Sequence, residues 1–221
     1  MRRRYKELNK HVRKLNPNEK KEYDYIKGLI SDKIEKIRSD CHSITNKEDR
    51  INYINNIYLK YEGNKKNYVK ESYLANYPIN INDFHTDIRF MQGQDYAGKV
   101  DILVGGSPCQ SFSTYGKKQG LEDARGTLFY DYARIIKETN PKVFIYENVA
   151  AIKTNDHGHT WKTMLSVWES LGYTIYHDIL NAVDYNHPQL RKRVFIIGIR
   201  KDICTTAYSF PKKKKLTKKS T

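Results

Sequence analysis

A chain of 221 residues holds one ordinary domain plus an appendage, and no apolar run in it approaches the ~20 residues of a membrane span. Its 40 Lys and Arg against 25 Asp and Glu give a formal net charge of +15, which favours a polyanionic partner such as nucleic acid, although a solvated lysine-rich surface has the same composition. The three cysteines, Cys41, Cys109 and Cys204, show no Cys-x-x-Cys spacing; they argue against a disulfide framework or a zinc site and fit a reducing, cytoplasmic setting.

Residues 1–67 read as a charged helical segment. The opening MRRRYKELNKHVRKLN is basic and lacks the apolar core of a signal peptide. Asn16-Pro17-Asn18 is a turn signal, after which Tyr23, Ile26, Leu29, Ile30, Ile34 and Ile37 recur on one helical face. Thr45 or Asn46 is positioned to cap a second helix carrying Ile51, Tyr53, Ile54, Ile57 and Tyr58. These faces predict packing surfaces and no chemistry.

YVKESYLANYP, residues 68–78, predicts a short helix ending before Pro78, and the alternation from Ile79 to Phe84 predicts a strand with Asp87 just past it. In Lys99 to Ser113, KVDILVGGSPCQSFS, the run 100–104 predicts a short buried parallel strand. Gly105 and Gly106 break it, and Ser107, Pro108, Cys109, Gln110 and Ser111 follow at its carboxyl end, where open α/β sheets place reactive groups. Cys109 there is either a nucleophile or a small buried hydrophobe. Residues 114–125 have little periodicity and predict a lid loop.

Arg125 to Phe129 then opens a helix with Leu128, Tyr132, Ile135 and Ile136 as its stripe, ended by Asn140-Pro141. KVFIY, 142–146, predicts a buried strand with Glu147-Asn148-Val149 at its carboxyl end. Two neighbouring strand ends would thus offer a thiol and a carboxylate to one crevice. His157-Gly158-His159 lacks the company of a zinc site and predicts a loop, so no metal is expected. A helix over 161–171 stops at Gly172. Strands over 173–180 and 194–199 flank Gln189-Leu190-Arg191-Lys192-Arg193, whose arginines are either surface charges or substrate contacts. Residues 204–221 predict a basic, disordered tail.

Cys109, Glu147 and the Arg191/Arg193 pair suit one task. Carbon 5 of cytosine becomes nucleophilic once a thiolate adds to carbon 6, while a carboxyl group serves ring nitrogen 3 and a cation offsets charge on the ring oxygen. Five segments resemble the DNA (cytosine-5)-methyltransferase family in the family's order: His85–Ile88, Gly105–Ser113, Arg125–Phe129 with its helix, Phe144–Val149, and Leu180 through Gln189–Arg193 to Gly198. The resemblance implies an α/β, Rossmann-like, S-adenosylmethionine-dependent methyltransferase core over 68–203, with double-stranded DNA as partner and S-adenosylmethionine as methyl donor. It implies Cys109 as nucleophile, Glu147 as the cytosine-anchoring acid, and Arg193, supported by Arg191, as the cation near the base. Asn148, Gln110 and Ser111 are implied on the substrate side, and Asp87, Ser107, Pro108 and Leu128 on the cofactor side.

The family's Phe-x-Gly-x-Gly cofactor loop has no counterpart before residue 68. Asn64 stands where the family has a ribose-binding acid, and no target-recognition part follows Arg200. The resemblance therefore implies an incomplete core, a fragment or subunit of a restriction-modification type enzyme, with a second polypeptide supplying the cofactor loop and target recognition. The alternative is a catalytically silent remnant that holds DNA by charge. A thiol-dependent hydrolase finds no histidine in a context that would place it beside Cys109. Without the family's first strand, the strand over 100–104 becomes an exposed sheet edge, which predicts poor solubility or an obligatory partner.

Overall fold

Residues 2–62, 66–107 and 128–214 are described by a computed structural model, in which the chain divides into two units, Met1–Met91 and Gln92–Thr221. Pro108, Cys109, Gln110, Ser111, Asn64 and the expected lid lie outside the described residues.

The first unit is helical. A helix α1 (Arg2–Lys10) leads through one 3₁₀ turn to α2 (Pro17–Ser43). The turn signal at 16–18 proves to be a helix start. Asn16 Oδ1 accepts from the Asn18 and Glu19 amides at 3.0 and 2.9 Å, while Glu19 Oε2 accepts from the Asn16 amide at 3.0 Å. Pro17 in the first helical position sacrifices no hydrogen bond.

The apolar stripe of α2 is divided between two small cores. Leu8, Tyr23 and Ile26 pack with Tyr5, Val12, Leu15 and Ile30. Ile37, Cys41, Ile54 and Phe90 pack with Ile34, Tyr53, Ile57 and Tyr58. Asn46 caps α3 (Lys47–Glu62) by accepting from the Glu48 and Asp49 amides, and α4 (Tyr68–Asn76) ends before Pro78. The strand expected over 79–84 is not formed. Asn80 Oδ1 accepts from the Asn82 amide at 2.9 Å and bends the backbone into a 3₁₀ turn, Ile81–Asp83, so these groups are not offered to a ladder.

The second unit is built on a mixed sheet of order β1-β2-β4-β3, from β1 (Ile102–Gly105), β2 (Val143–Val149), β3 (Tyr173–Asn181) and β4 (Lys192–Arg200). β1 runs parallel to β2, whereas β4 is antiparallel to both β2 and β3. Parallel pairing therefore holds for β1 and β2 alone, and the last strand runs antiparallel to both its neighbours.

One face of the sheet is covered by α5 (Leu128–Thr139) and α6 (His159–Ser170). The Trp168 ring lies 5.2 Å from Phe129, 5.3 Å from Phe144 and 5.1 Å from Tyr146, centroid to centroid. Burying a phenylalanine such as Phe129 or Phe144 contributes roughly 1.5–3 kcal/mol. A Cβ on Gly198 would run into the Phe144 ring, so this aromatic core admits only glycine there. Gly172, at φ +92°, ends α6 in the left-handed region, as its position predicts.

β1 departs from the expected buried strand. Leu103 and Gly105 face α5, where the Tyr132 ring lies 2.7 Å from the place a Gly105 Cβ would take. On the other face Ile102 and Val104 are 58% and 69% exposed. Among the described residues β1 pairs with β2 alone and is a sheet edge.

Residues 204–214, expected to be disordered, are held in place. Tyr208 packs on Tyr176 and Phe210, and the Lys214 amide donates to the Asp184 carbonyl at 2.8 Å. These ring contacts and the Asp184 carbonyl hold a segment whose lysines are exposed. No helix among the described residues is long and apolar enough to cross a membrane.

Candidate active site

β2 does not stop at Tyr146. β4 continues to pair with it, Glu147 with Phe195, Asn148 with Val194 and Val149 with Arg193, so Glu147 sits inside the strand rather than after it. Strand alternation sends Tyr146 and Asn148 to the helix-covered face and Glu147 to the opposite one. β4 likewise begins at Lys192, which places Arg193 in the strand.

The result is the carboxylate and cation pair that the sequence anticipates. Arg193 Nε lies 3.0 Å from Glu147 Oε1, and Arg191 Nη2 lies 3.9 Å from the same oxygen. The Glu147 side chain remains 39% exposed, so a ligand can reach it. Gly106 explains how the chain leading to Cys109 comes near. A Cβ at that position would collide with the Glu147 carbonyl, and glycine alone lets the strand exit pass against the strand that carries the acid.

A buried hydrogen-bond network fixes that exit. Ser107 Oγ and the Tyr146 hydroxyl are 2.5 Å apart, and Asn148 Nδ2 donates to the Ser107 carbonyl and to the Tyr146 hydroxyl, each at 2.9 Å. Asn148 Oδ1 accepts from the Val149 amide at 2.8 Å. All three side chains are buried. Burial pushes the Tyr146 phenol pKa up against the opposing effect of its hydrogen bonds, which keeps it a protonated donor. Sequence reasoning assigns Tyr146 only to the strand core. The available signal is a phenol in an otherwise apolar strand, since a buried tyrosine hydroxyl must find a partner.

Asp87 lies in the first unit. It accepts from the Arg89 amide at 2.9 Å, and its carboxylate is held by Arg89 Nε at 3.0 Å and by the Tyr58 hydroxyl at 2.5 Å. Burial raises the Asp87 pKa, but the hydrogen bonds from Arg89 and Tyr58 outweigh it and leave the acid below the usual carboxylate value. Burial and the bond to Asp87 push Tyr58 up to about 12. The acid expected to meet the cofactor adenine thus has its oxygens committed to its own chain. Ser107 is committed in the same way, and Leu128 is half-buried at the start of α5. No cluster of three His, Cys, Asp or Glu among those residues is placed to hold a metal.

A family model described as C-5 cytosine-specific DNA methylase matches residues 41–221, beginning inside α2. The type II methyltransferase M1.ScrFI of Lactococcus lactis subsp. cremoris is 47% identical over 132 residues, 59% of this chain and 34% of that protein. The type II methyltransferase M.HhaI of Haemophilus parahaemolyticus is 45% identical over 112 residues, 51% of this chain and 34% of that protein. The chain therefore spans about a third of the length of these curated relatives. Among solved structures, the Entamoeba histolytica methyltransferase EhMeth superposes with a TM-score of 0.50 at 14% identity, covering 67% of this chain and 47% of that one, a likeness of fold.

Proposed function

Because the chain belongs to the C-5 cytosine-specific DNA methylase family, we propose that it carries the catalytic core of a restriction-modification type DNA (cytosine-5)-methyltransferase acting on double-stranded DNA. The observation that carries this reading is the Glu147–Arg193 pair, 3.0 Å apart and open to a ligand, on the strand against which Gly106 leads the chain toward Cys109.

The target cytosine leaves the duplex to reach such a site. The Cys109 thiolate adds to carbon 6, and the electron pair of the ring double bond moves to carbon 5. Glu147 hydrogen-bonds or protonates ring nitrogen 3, and Arg193, with Arg191 behind it, offsets charge on the ring oxygen. The methyl group that carbon 5 takes up is supplied by S-adenosylmethionine. Loss of the carbon 5 proton then restores the double bond as the carbon–sulfur bond breaks and the thiolate is regenerated. Asn148 acts through Ser107 and Tyr146 by holding the start of the thiol-bearing segment.

In this reading residues 68–203 are the chain's share of the core, and a second polypeptide supplies the cofactor loop and target recognition. The committed oxygens of Asp87, the committed Ser107 and the open edge at β1 support that division. Asp87 also gives the alternative, a silent remnant that holds DNA by charge, its one specific support.

Covalent trapping on DNA containing 5-fluorocytosine separates the two, because fluorine blocks the final elimination. With S-adenosylmethionine and the products of adjacent genes, a band attached through Cys109 and absent from Cys109→Ala is expected. Folded protein that gives no band, alone or with those products, would sink the catalytic reading and leave the remnant.

A further inference from the structure

After β4 the chain doubles back along the sheet, and residues 211–214 lie against the turn at Asp184. Tyr208 packs on Tyr176 of β3 with ring centroids 5.8 Å apart, and the Tyr185 hydroxyl donates to the Pro211 carbonyl at 3.1 Å. Asp184 then takes two contacts. Its carboxylate lies 3.1 Å from Lys213 Nζ, and its carbonyl accepts from the Lys214 amide at 2.8 Å. The Asp184 turn and Arg191 form one piece, because the Ala182 amide donates to the Arg191 carbonyl and the Arg191 amide to Asn181 Oδ1, each at 3.1 Å.

Lys212, Lys213, Lys214, Arg191 and Lys192 are consequently gathered, all exposed, at the end of the sheet where Glu147 and Arg193 meet. Ordering a lysine-bearing segment costs conformational entropy, and setting it beside arginines adds like-charge repulsion. Asp184, paired with Lys213, offsets a fraction of that. An anion lying over the cluster would offset the rest.

We infer that the strap 211–214 is a phosphate-contacting arm of the DNA site, in which Lys212 and Lys214, with Arg191 and Lys192, grip the backbone flanking the extruded cytosine. The inference rests on the DNA-methylation reading and names the surface that holds the substrate strand. A duplex carries one charge per ~1.7 Å of its axis, so a base held at Glu147 brings flanking phosphates over neighbouring side chains. Lysine is a compact point charge on a long stem, suited to backbone contacts that set register without reading sequence.

The test is fluorescence anisotropy of a labelled duplex against the full chain over a salt series. K212Q/K214Q is expected to weaken binding about tenfold and to lower the log–log salt slope by roughly two, near 0.9 for each phosphate that is no longer neutralised. K20Q/K21Q, which removes the same charge from α2, is expected to leave the slope unchanged. D184N makes the chain more positive yet releases the anchor, so it is expected to bind more weakly than the wild type. Equal drops in slope for the two lysine pairs, or tighter binding by D184N, would show that bulk charge alone is at work and overturn the arm. A wild type that fails to bind the duplex at all would instead overturn the DNA reading on which the arm depends.

Discussion

Arg193 reaches Glu147 diagonally across two strands. The register partner of Arg193 is Val149 and that of Glu147 is Phe195, yet Nε and Oε1 are 3.0 Å apart. Both side chains stand on the face away from α5 and α6, so acid and cation are assembled by sheet register before any ligand arrives. A pair this exposed is worth about 1 kcal/mol or less, which a substrate with its own hydrogen bonds can displace.

Replacing Glu147 with Gln keeps the shape and removes the charge and the transferable proton. The trapping rate on 5-fluorocytosine DNA is expected to fall roughly 10²- to 10⁴-fold with little change in DNA affinity. Arg193→Lys is expected to fall on the same side, because a lysine ammonium cannot reproduce the fixed geometry of Nε. An unchanged rate in E147Q would remove the acid from the mechanism.

Tyr146→Phe deletes one hydroxyl and deprives both Ser107 Oγ and Asn148 Nδ2 of a buried partner. The expected cost is about 1–3 kcal/mol, read from the urea midpoint. Adding Ser107→Ala should return part of that stability, since it removes one of the groups left unpaired. A double variant weaker than the sum of the singles would contradict the network described.

Asp87 makes the stability of the first unit pH-dependent in a known direction. Its folded-state pKa is below the unfolded value of about 3.9, so its stabilisation is complete above that value and is lost as pH falls through the folded one. Asp87→Asn should cost about 1–3 kcal/mol at neutral pH, and the gap to the wild type should close in acid. Parallel stability curves down to the acid limit would rule this out.

Ile102 and Val104 form the exposed apolar side of an edge strand. Val104→Lys is expected to raise the soluble fraction of the chain expressed alone, because charge on an edge strand blocks strand addition. Soluble yield, compared at equal expression, measures it. A yield unchanged or lowered would mean that this face is not the source of association.

Much of the fold is legible in the sequence because it is local. The stripe of α2, the Asn46 cap, Gly172 after α6, and the strands expected over 142–146 and 194–199 all follow from spacing and punctuation, although β2 and β4 extend those strands to Val149 and back to Lys192. The meeting of Glu147 and Arg193 comes from the β2–β4 register, whereas the sequence places the arginines only near the same sheet edge. What the sequence hides depends on distant partners or on competing local bonds. Tyr58 is far from Asp87 in the chain, and no window shows that it claims the carboxylate. A run such as Val100 to Val104 reads the same whether one face or both will be covered, so the exposure of Ile102 and Val104 is not legible in it. Asn80 overrides an alternating pattern through one side-chain hydrogen bond, and Tyr208 orders a tail whose lysines advertise disorder.

The four residues of β1 have ladder neighbours on one side only among the described residues. Such a strand is the least cooperative part of its sheet, and its amides should exchange with solvent ahead of those of β2 and β4. The chain leaves that strand through Gly106 and Ser107, so the placement of this exit follows the strand's opening equilibrium. A strand added along the free edge would bind the closed form and not the open one, and by linkage it would stabilise the closed form by its own binding free energy. In the proposed reading, gaining a neighbour along that edge and fixing the exit that leads toward Cys109 would be the same thermodynamic event.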